Sequence, residues 1–272
     1  MFRSKLLSVI VPVFNSENTI ERVLNHLVPL AEQGVQIWIS DNCSTDGTRK
    51  IIKEFEKVKN FNILLRSKNL GGGSIKKSLG CVDTPWVLLV GSDDYLIHAE
   101  DVLEAVRLID EKRNTVGLTF RSRFISGDRL IDDRTNVELS GSKNSKYNKF
   151  IKNVGCNSRF YGVIRTDLLK KHYYSEDYFG NDVVMSGRIL GDGDWLYEPN
   201  IELHREMGIS SDQMKMRRAY GYSGLNLILP PFRFILELYD IVKDCSMGVK
   251  INLFVYYLKI ALSPIKHRLT NR

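Results

Sequence analysis

The chain has 272 residues, of which 43% are hydrophobic, 26% charged and 10% aromatic. That balance excludes a disordered tail, a collagen-like fibre and a disulfide-stapled miniprotein, and the length suffices for a large domain with a sizeable core. The net charge is +7, and the excess lies at one end: Arg205 to Arg272 holds 11 Lys/Arg against 5 Asp/Glu. The partner implied by the basic character therefore binds at the C-terminal quarter.

The chain opens MFRSKLLSVIVPVF, basic and then apolar. The apolar run is short, contains Pro12 and lacks a small-residue cleavage site before Asn15, so it reads as a buried strand over Leu6–Phe14 rather than a signal peptide. Asn18 and Glu21 mark a helix start, followed by Ile20, Val23, Leu24 and Leu27 at helical spacing. Val35–Ile39 is a second strand, ending at Asp41. The turn SDNCSTDGT leads into a helix with Ile51, Ile52 and Phe55. Asn62–Leu65 is a third strand, followed by the turn Leu70-Gly71-Gly72-Gly73 and a short helix. Trp86–Val90 is a fourth strand, ending at Gly91-Ser92-Asp93-Asp94, and Ala99–Ile109 is helical. Alternating strands and helices predict an α/β fold with a mostly parallel sheet flanked by helices.

Beyond Phe120 the rhythm breaks. Arg121–Lys149 reads as polar loop, Phe160–Ile164 as a strand and Asp182–Leu190 as a short helix. These signals divide the chain into a main unit, 1–210, whose regular part is 1–110 and whose irregular part is 111–210, and a basic amphipathic helical tail, 211–272. Cys43, Cys81, Cys156 and Cys245 form no CxxC and join no His cluster, so they read as reduced thiols of a cytoplasmic protein rather than a zinc site. No run approaches the ~20 apolar residues of a spanning helix.

In an open parallel sheet, ligands sit at the carboxyl ends of the strands. Three expected strand ends carry polar residues: Asn15–Glu17, Asp41–Asn42 and Asp93–Asp94. Asp41 or Asn42 suits the edge of a nucleobase, and paired Asp93 and Asp94 suit a divalent cation. The plain structural readings are a helix cap for Asp41 and a turn for Asp93–Asp94. A GxxxxGK[ST] phosphate loop is absent, and no GxGxxG follows the first strand. The Gly71–Gly73 run is a flexible turn that also permits close backbone approach to a ligand.

SVIVPVFNSENTIERVLNHL, ISDNCSTDGT and WVLLVGSDD together resemble, in order and spacing, motifs of the inverting GT-A glycosyltransferases of family two. The likeness spans Leu7–Asp110, and it implies a catalytic unit over 1–210 in which 1–110 binds the nucleotide sugar and 111–210 the acceptor. It implies a Rossmann-like GT-A fold, a nucleotide-sugar donor and manganese or magnesium. It assigns Pro12, Phe14 and Glu17 to the nucleoside pocket, Asp41 or Asn42 to the base, and Gly72 and Lys76 to the donor side. Asp93 falls to the ribose and metal, and Asp94 to the metal and diphosphate. Two departures stand out: Gly91 replaces a frequent aspartate, and Lys77 a frequent asparagine.

The same family places a catalytic base at the start of a short helix, with Arg six residues on. Asp182 and Arg188 match, with Asn181 replacing the usual glutamate. Asp182 is thus the expected base that deprotonates the acceptor hydroxyl; its plain alternative is a helix cap. Leu203–Ser210 (LHREMGIS) resembles a segment that carries Arg and His near the diphosphate. Met207 occupies the His position, leaving His204 or Arg205 as substitutes, or a solvated loop. In NSRFYGVIR, Arg159 and Tyr161 are acceptor candidates.

The tail mixes aromatic and aliphatic residues from Leu225 to Leu236 and over Ile251–Leu262 with cations. This suits docking on the inner face of an anionic membrane, against helices packed on the core. No nucleic-acid module appears. The expected function is transfer of one sugar to a saccharide, on an isoprenoid-diphosphate lipid, in bacterial surface polysaccharide such as O-antigen or capsule. Sugar-phosphate nucleotidyl transfer and a non-catalytic nucleotide-sugar-binding module are the alternatives.

Overall fold

The computed structural model describes residues 6–155, 157–174, 178, 180–206 and 232–270. Met207 and the apolar cluster expected from Leu225 to Leu229 lie outside the described residues. The strands are β1 (Leu7–Val13), β2 (Gln36–Asp41), β3 (Phe61–Leu65), β4 (Trp86–Leu89), β5 (Tyr95–Ile97), β6 (Thr115–Ser126), β7 (Arg129–Asp133), β8 (Val163–Arg165) and β9 (Asp194–Glu206). They form one sheet in the order β3-β2-β1-β4-β8-β6-β9-β5, with β7 beside β6. The first four strands run parallel, as their alternation with helices requires, and the second half is mixed.

Helices cover both faces. They are α1 (Ile20–Glu32), α2 (Thr48–Glu54), α3 (Gly73–Leu79), α4 (Val102–Asp110), α5 (Lys143–Lys152), α6 (Thr166–His172), α7 (Asn181–Asp192), α8 (Phe232–Val242) and α9 (Met247–Thr270). Side chains alternate across a strand. Leu7, Val9, Val11 and Val13 of β1 therefore join a core with α1 and α4, whereas Ile10 joins a second core with α5, α7, α8 and α9. α1 lays Ile20, Val23, Leu24, Leu27, Leu30 and Ala31 on the sheet and stops at Gly34, whose φ of 91° suits a helix C-terminus.

Three expectations change. Arg121–Lys149 is not loop: β6 and β7 form a hairpin over Thr115–Asp133 and α5 follows. Phe160 lies in a 3-10 turn, Ser158–Tyr161, and the strand starts only at Val163. Helix α1 begins after Thr19 rather than Asn18, and the Thr19 hydroxyl donates to the Ser92 carbonyl at 2.7 Å instead of capping.

Pro12 ends the pairing of β1 with β4. Even-numbered β1 residues face β4, and Val90 N–H donates to Ile10 O at 3.1 Å. The next rung would need an N–H that proline lacks. The two strands part there, at the carboxyl edge where the site lies.

Candidate active site

The three polar strand ends meet. Asn15, in the left-handed region at φ 48°, gives its N–H to Ser44 Oγ and takes the Thr45 N–H on Oδ1, both at 2.9 Å. Ser16 N–H donates to Thr48 Oγ1, and its hydroxyl meets Ser92 Oγ, both at 2.7 Å. Glu17 Oε2 accepts the Gly47 N–H at 2.7 Å. A Cβ at Gly47 would stand 2.7 Å from that oxygen, so a larger residue there would displace the Glu17 carboxylate. Glu17 thus locks one strand end to the next, while Phe14, 47% exposed, leaves an aromatic face open beside Pro12.

Asp41 is buried, receives the Ser44 N–H, and takes Arg49 Nε at 2.7 Å. The same guanidinium donates to Arg66 O. Asn42 accepts from Leu70 N–H and donates to Asn69 Oδ1, both at 2.8 Å. Asn42 thus ties the second strand end to the glycine turn, and Asp41 ties it to α2 through Arg49, with Gly47 and not Asp41 at the helix N-cap. Gly72 presents its carbonyl to the Tyr173 hydroxyl at 3.0 Å, and Lys76 is exposed on α3 just behind that turn.

The acidic centre lies past β4. Asp94 is 2% exposed. A Cβ at Gly91 would meet Asp94 Oδ2 at 2.8 Å and Asp93 Oδ1 at 3.1 Å. The missing side chain is thus the space into which both carboxylates fold. Arg205 of β9 is also buried and donates from Nε to Asp94 Oδ2 at 3.2 Å. Its guanidinium lies over the Tyr161 ring, 4.5 Å from the centroid. Burial pushes the Asp94 carboxyl up to about 6 even though Arg205 pulls it down.

Asp182, in the first turn of α7, faces the same centre. Burial raises its carboxyl above the usual carboxylate range, while Asn157, donating to Oδ2 at 3.0 Å, and Arg205 oppose the rise. The Tyr161 hydroxyl is pushed up by burial, and feels Arg205, Asp94, Asp182 and Asp93. One tyrosine therefore marks where donor-side and base-side carboxylates converge.

Two expected contacts fall elsewhere. The Arg159 guanidinium is fully buried and donates to Asn153 O and Thr135 O at 3.0 and 2.7 Å. It braces the loop instead of facing the cleft. His204 points to the other side of β9, where its ring lies 5.3 Å from that of Tyr95 and Nε2 meets Glu202 at 2.9 Å. Neighbouring strand residues point to opposite faces, so Arg205 alone of the two enters the site, on a strand and not a solvated loop. Sequence reading missed Asn157 and Ser158. Ser158 Oγ accepts from Arg205 at 3.0 Å and donates to Asp133 at 3.1 Å. The available signal was Asn157 itself, since asparagine tolerates the positive φ of 49° found there.

Comparison with known proteins bears on the fold and the family. The chain is 32% identical over 124 residues to poly(ribitol-phosphate) beta-N-acetylglucosaminyltransferase TarS of Staphylococcus aureus, a match spanning 44% of this chain and 21% of that protein. This chain thus spans about a fifth of that relative's length. It is 22% identical over 270 residues to GalNAc(5)-diNAcBac-PP-undecaprenol beta-1,3-glucosyltransferase of Campylobacter jejuni, covering 94% of this chain and 83% of that one. Among solved structures, S. aureus TarS 1-349 with UDP superposes with a TM-score of 0.67 at 19% identity, over 95% of this chain and 72% of that one. The mannosyltransferase PcManGT of Pyrobaculum calidifontis, solved with GDP-Man and Mn2+, gives a TM-score of 0.56 at 14% identity, over 99% of this chain and 84% of that one. Both likenesses speak to the fold, which is GT-A. The family model for glycosyl transferase family 2 matches residues 8–173, and the chain belongs to that family.

Proposed function

We propose that the chain is an inverting, metal-dependent glycosyltransferase that moves one sugar from a nucleotide-sugar donor to a hydroxyl of a saccharide acceptor. The acceptor is carried on an isoprenoid-diphosphate lipid during synthesis of a bacterial surface polymer. The observation that carries the reading is Asp182: a half-buried carboxylate with a raised pKa, held by Asn157 and sharing the surroundings of the Tyr161 hydroxyl with paired Asp93 and Asp94. Asp182 takes the proton of the acceptor hydroxyl as its oxygen attacks the anomeric carbon. The bond from that carbon to the diphosphate oxygen breaks as the new one forms on the opposite face, so configuration inverts.

Asp93 and Asp94 offer hard oxygen donors side by side in the cradle that Gly91 leaves, which fits manganese or magnesium. A cation held there neutralises diphosphate charge. Arg205, already beside Asp94, supplies a second positive group for the leaving diphosphate. Pro12, Phe14 and Glu17 flank the nucleoside, with Gly72 and Lys76 on its far side. The relatives whose names specify polymer and lipid-linked acceptors support the substrate class. No described helix is long and apolar enough to cross a membrane, and α8 and α9 dock on the anionic inner face of the cell membrane.

The test is thermal stability with a panel of nucleoside diphosphates and nucleotide sugars, with and without manganese, beside Asp94→Ala. A ligand that binds only the folded chain raises Tm by mass action. A shift for one nucleotide that needs metal and is lost in Asp94→Ala is expected. No shift with any nucleotide, in solution or with lipid vesicles and acceptor added, refutes the reading.

A further inference from the structure

Helix α9 has two apolar sides. Val249, Leu253 and Ile260 are buried against the body. Met247, Ile251, Phe254, Val255 and Leu258 are 40–68% exposed, at the helical spacing that makes one continuous stripe. From Met247 to Arg272 there are five Lys/Arg and no Asp or Glu. One edge of the stripe opens into a cavity of about 610 Å³ between α5 and α9. Ile151, Val154, Val255, Tyr256 and Ile260 give it apolar walls, and Lys152 and Lys259 bring two cations. Val255 belongs to both cavity and stripe, so an apolar chain can leave one along the other.

The position of this cavity relates it to the reaction. Val154 and Gly155 line it, and Asn157, two residues on, donates to Asp182. Gly155 has a φ of +52°, and a Cβ there would collide with the Thr135 side chain, so this part of the cavity wall calls for glycine. A nucleotide has no use for the apolar walls, and a flat bilayer cannot fill a recess. The chemistry that fits both cations and the stripe is an anionic head on a long hydrocarbon.

We propose that the cleft between α5 and α9 binds the diphosphate and first isoprene units of the lipid-linked acceptor. Lys152 and Lys259 meet the diphosphate, and the stripe through Val255, Phe254 and Leu258 takes the lipid. The saccharide then extends past Gly155 and Asn157 to Asp182. This rests on the lipid-linked acceptor reading above and names its binding site.

The test uses the full chain and farnesyl diphosphate, titrated by calorimetry, with inorganic pyrophosphate, farnesol and phosphatidylglycerol vesicles as comparison ligands. The wild type is expected to bind farnesyl diphosphate at least tenfold more tightly than pyrophosphate or farnesol. Lys152→Ala with Lys259→Ala should weaken farnesyl diphosphate at least tenfold, without changing Tm or the metal-dependent nucleotide shift. Equal binding by the double variant overturns the proposal, as does pyrophosphate binding equal to that of farnesyl diphosphate. Loss of vesicle binding in parallel with farnesyl diphosphate also overturns it, because the lysines would then serve general membrane contact. A chain that keeps its metal-dependent nucleotide shift yet fails these tests loses the lipid site alone; loss of that shift strikes the enzyme reading instead.

Discussion

Asp94 holds a carboxylate where water hardly reaches, and Arg205 makes that tolerable. Breaking a buried pair by removing one partner costs about 3–5 kcal/mol. Arg205→Gln should therefore destabilise the fold strongly, measured by urea unfolding. Native Asp94, near 6, holds its proton more tightly than the unfolded chain, whose carboxyl titrates near 4. Its contribution to stability thus falls as pH rises from about 4 to about 6 and is level above. Without Arg205 the native value climbs further, so the gap between variant and wild type should widen as pH rises through about 6. A gap that is constant with pH would count against the pairing. Asp182 gives a kinetic counterpart. Asp182→Asn should lower kcat by about 10²- to 10⁴-fold while leaving the nucleotide-induced Tm shift intact. In the wild type, kcat/KM should fall as pH drops through the raised pKa of Asp182. Asn157→Ala removes a hydrogen bond to the charged form, so that limb should move to higher pH. An unmoved limb would mean another group carries it.

The elements that carry the site differ in how far the sequence reveals them. β1, β2 and β4 were legible because each is a compact apolar run buried on both faces, and the edge strand β3, half-buried, was legible from its short apolar run between turns. The DGT turn was legible because Asp and Gly at those spacings have few other uses. Gly91 looked like a loss, a place where an aspartate had gone. The fold shows its use: the space is filled by Asp93 and Asp94 themselves. Gly91→Ala should push those carboxylates aside and weaken manganese binding, read by calorimetry with saturating nucleoside diphosphate; unchanged affinity would remove Gly91 from the site. The hairpin of β6 and β7 was hidden by its charge. Arg121 and Arg123 read as loop, yet they are satisfied by Asp132 and Glu202 across the sheet. Arg205 was hidden by irregularity. β9 slips register against β6 between Phe120 and Arg121, skipping from Glu198 to Glu202 around Pro199. A period-two pattern cannot be followed through such a break, so only the three-dimensional pairing decides which of His204 and Arg205 faces the site.

At the scale of the whole molecule, the basic C-terminal quarter and the catalytic body are one problem, because α9 packs on α5 and α5 leads to the loop before Asn157. Ile251→Asp with Phe254→Asp changes only exposed side chains, so Tm should hold. Co-sedimentation with phosphatidylglycerol vesicles should fall at least tenfold; unchanged sedimentation would place the membrane contact elsewhere. The sheet order has a consequence of another kind. β9 is the last of the described strands, yet it lies between β6 and β5. A ribosome adding about 5–20 residues per second needs roughly four to sixteen seconds to travel from the end of β6 at Ser126 to Glu206. Throughout that interval β6 and β5 present open edges, which invite pairing with other nascent chains, and Asp94 waits without its guanidinium. Translation halted just short of Arg205 would thus release an adhesive fragment with an unbalanced interior charge, so loss of the final strand should appear in the cell as clearance by quality control before it appears as missing catalysis.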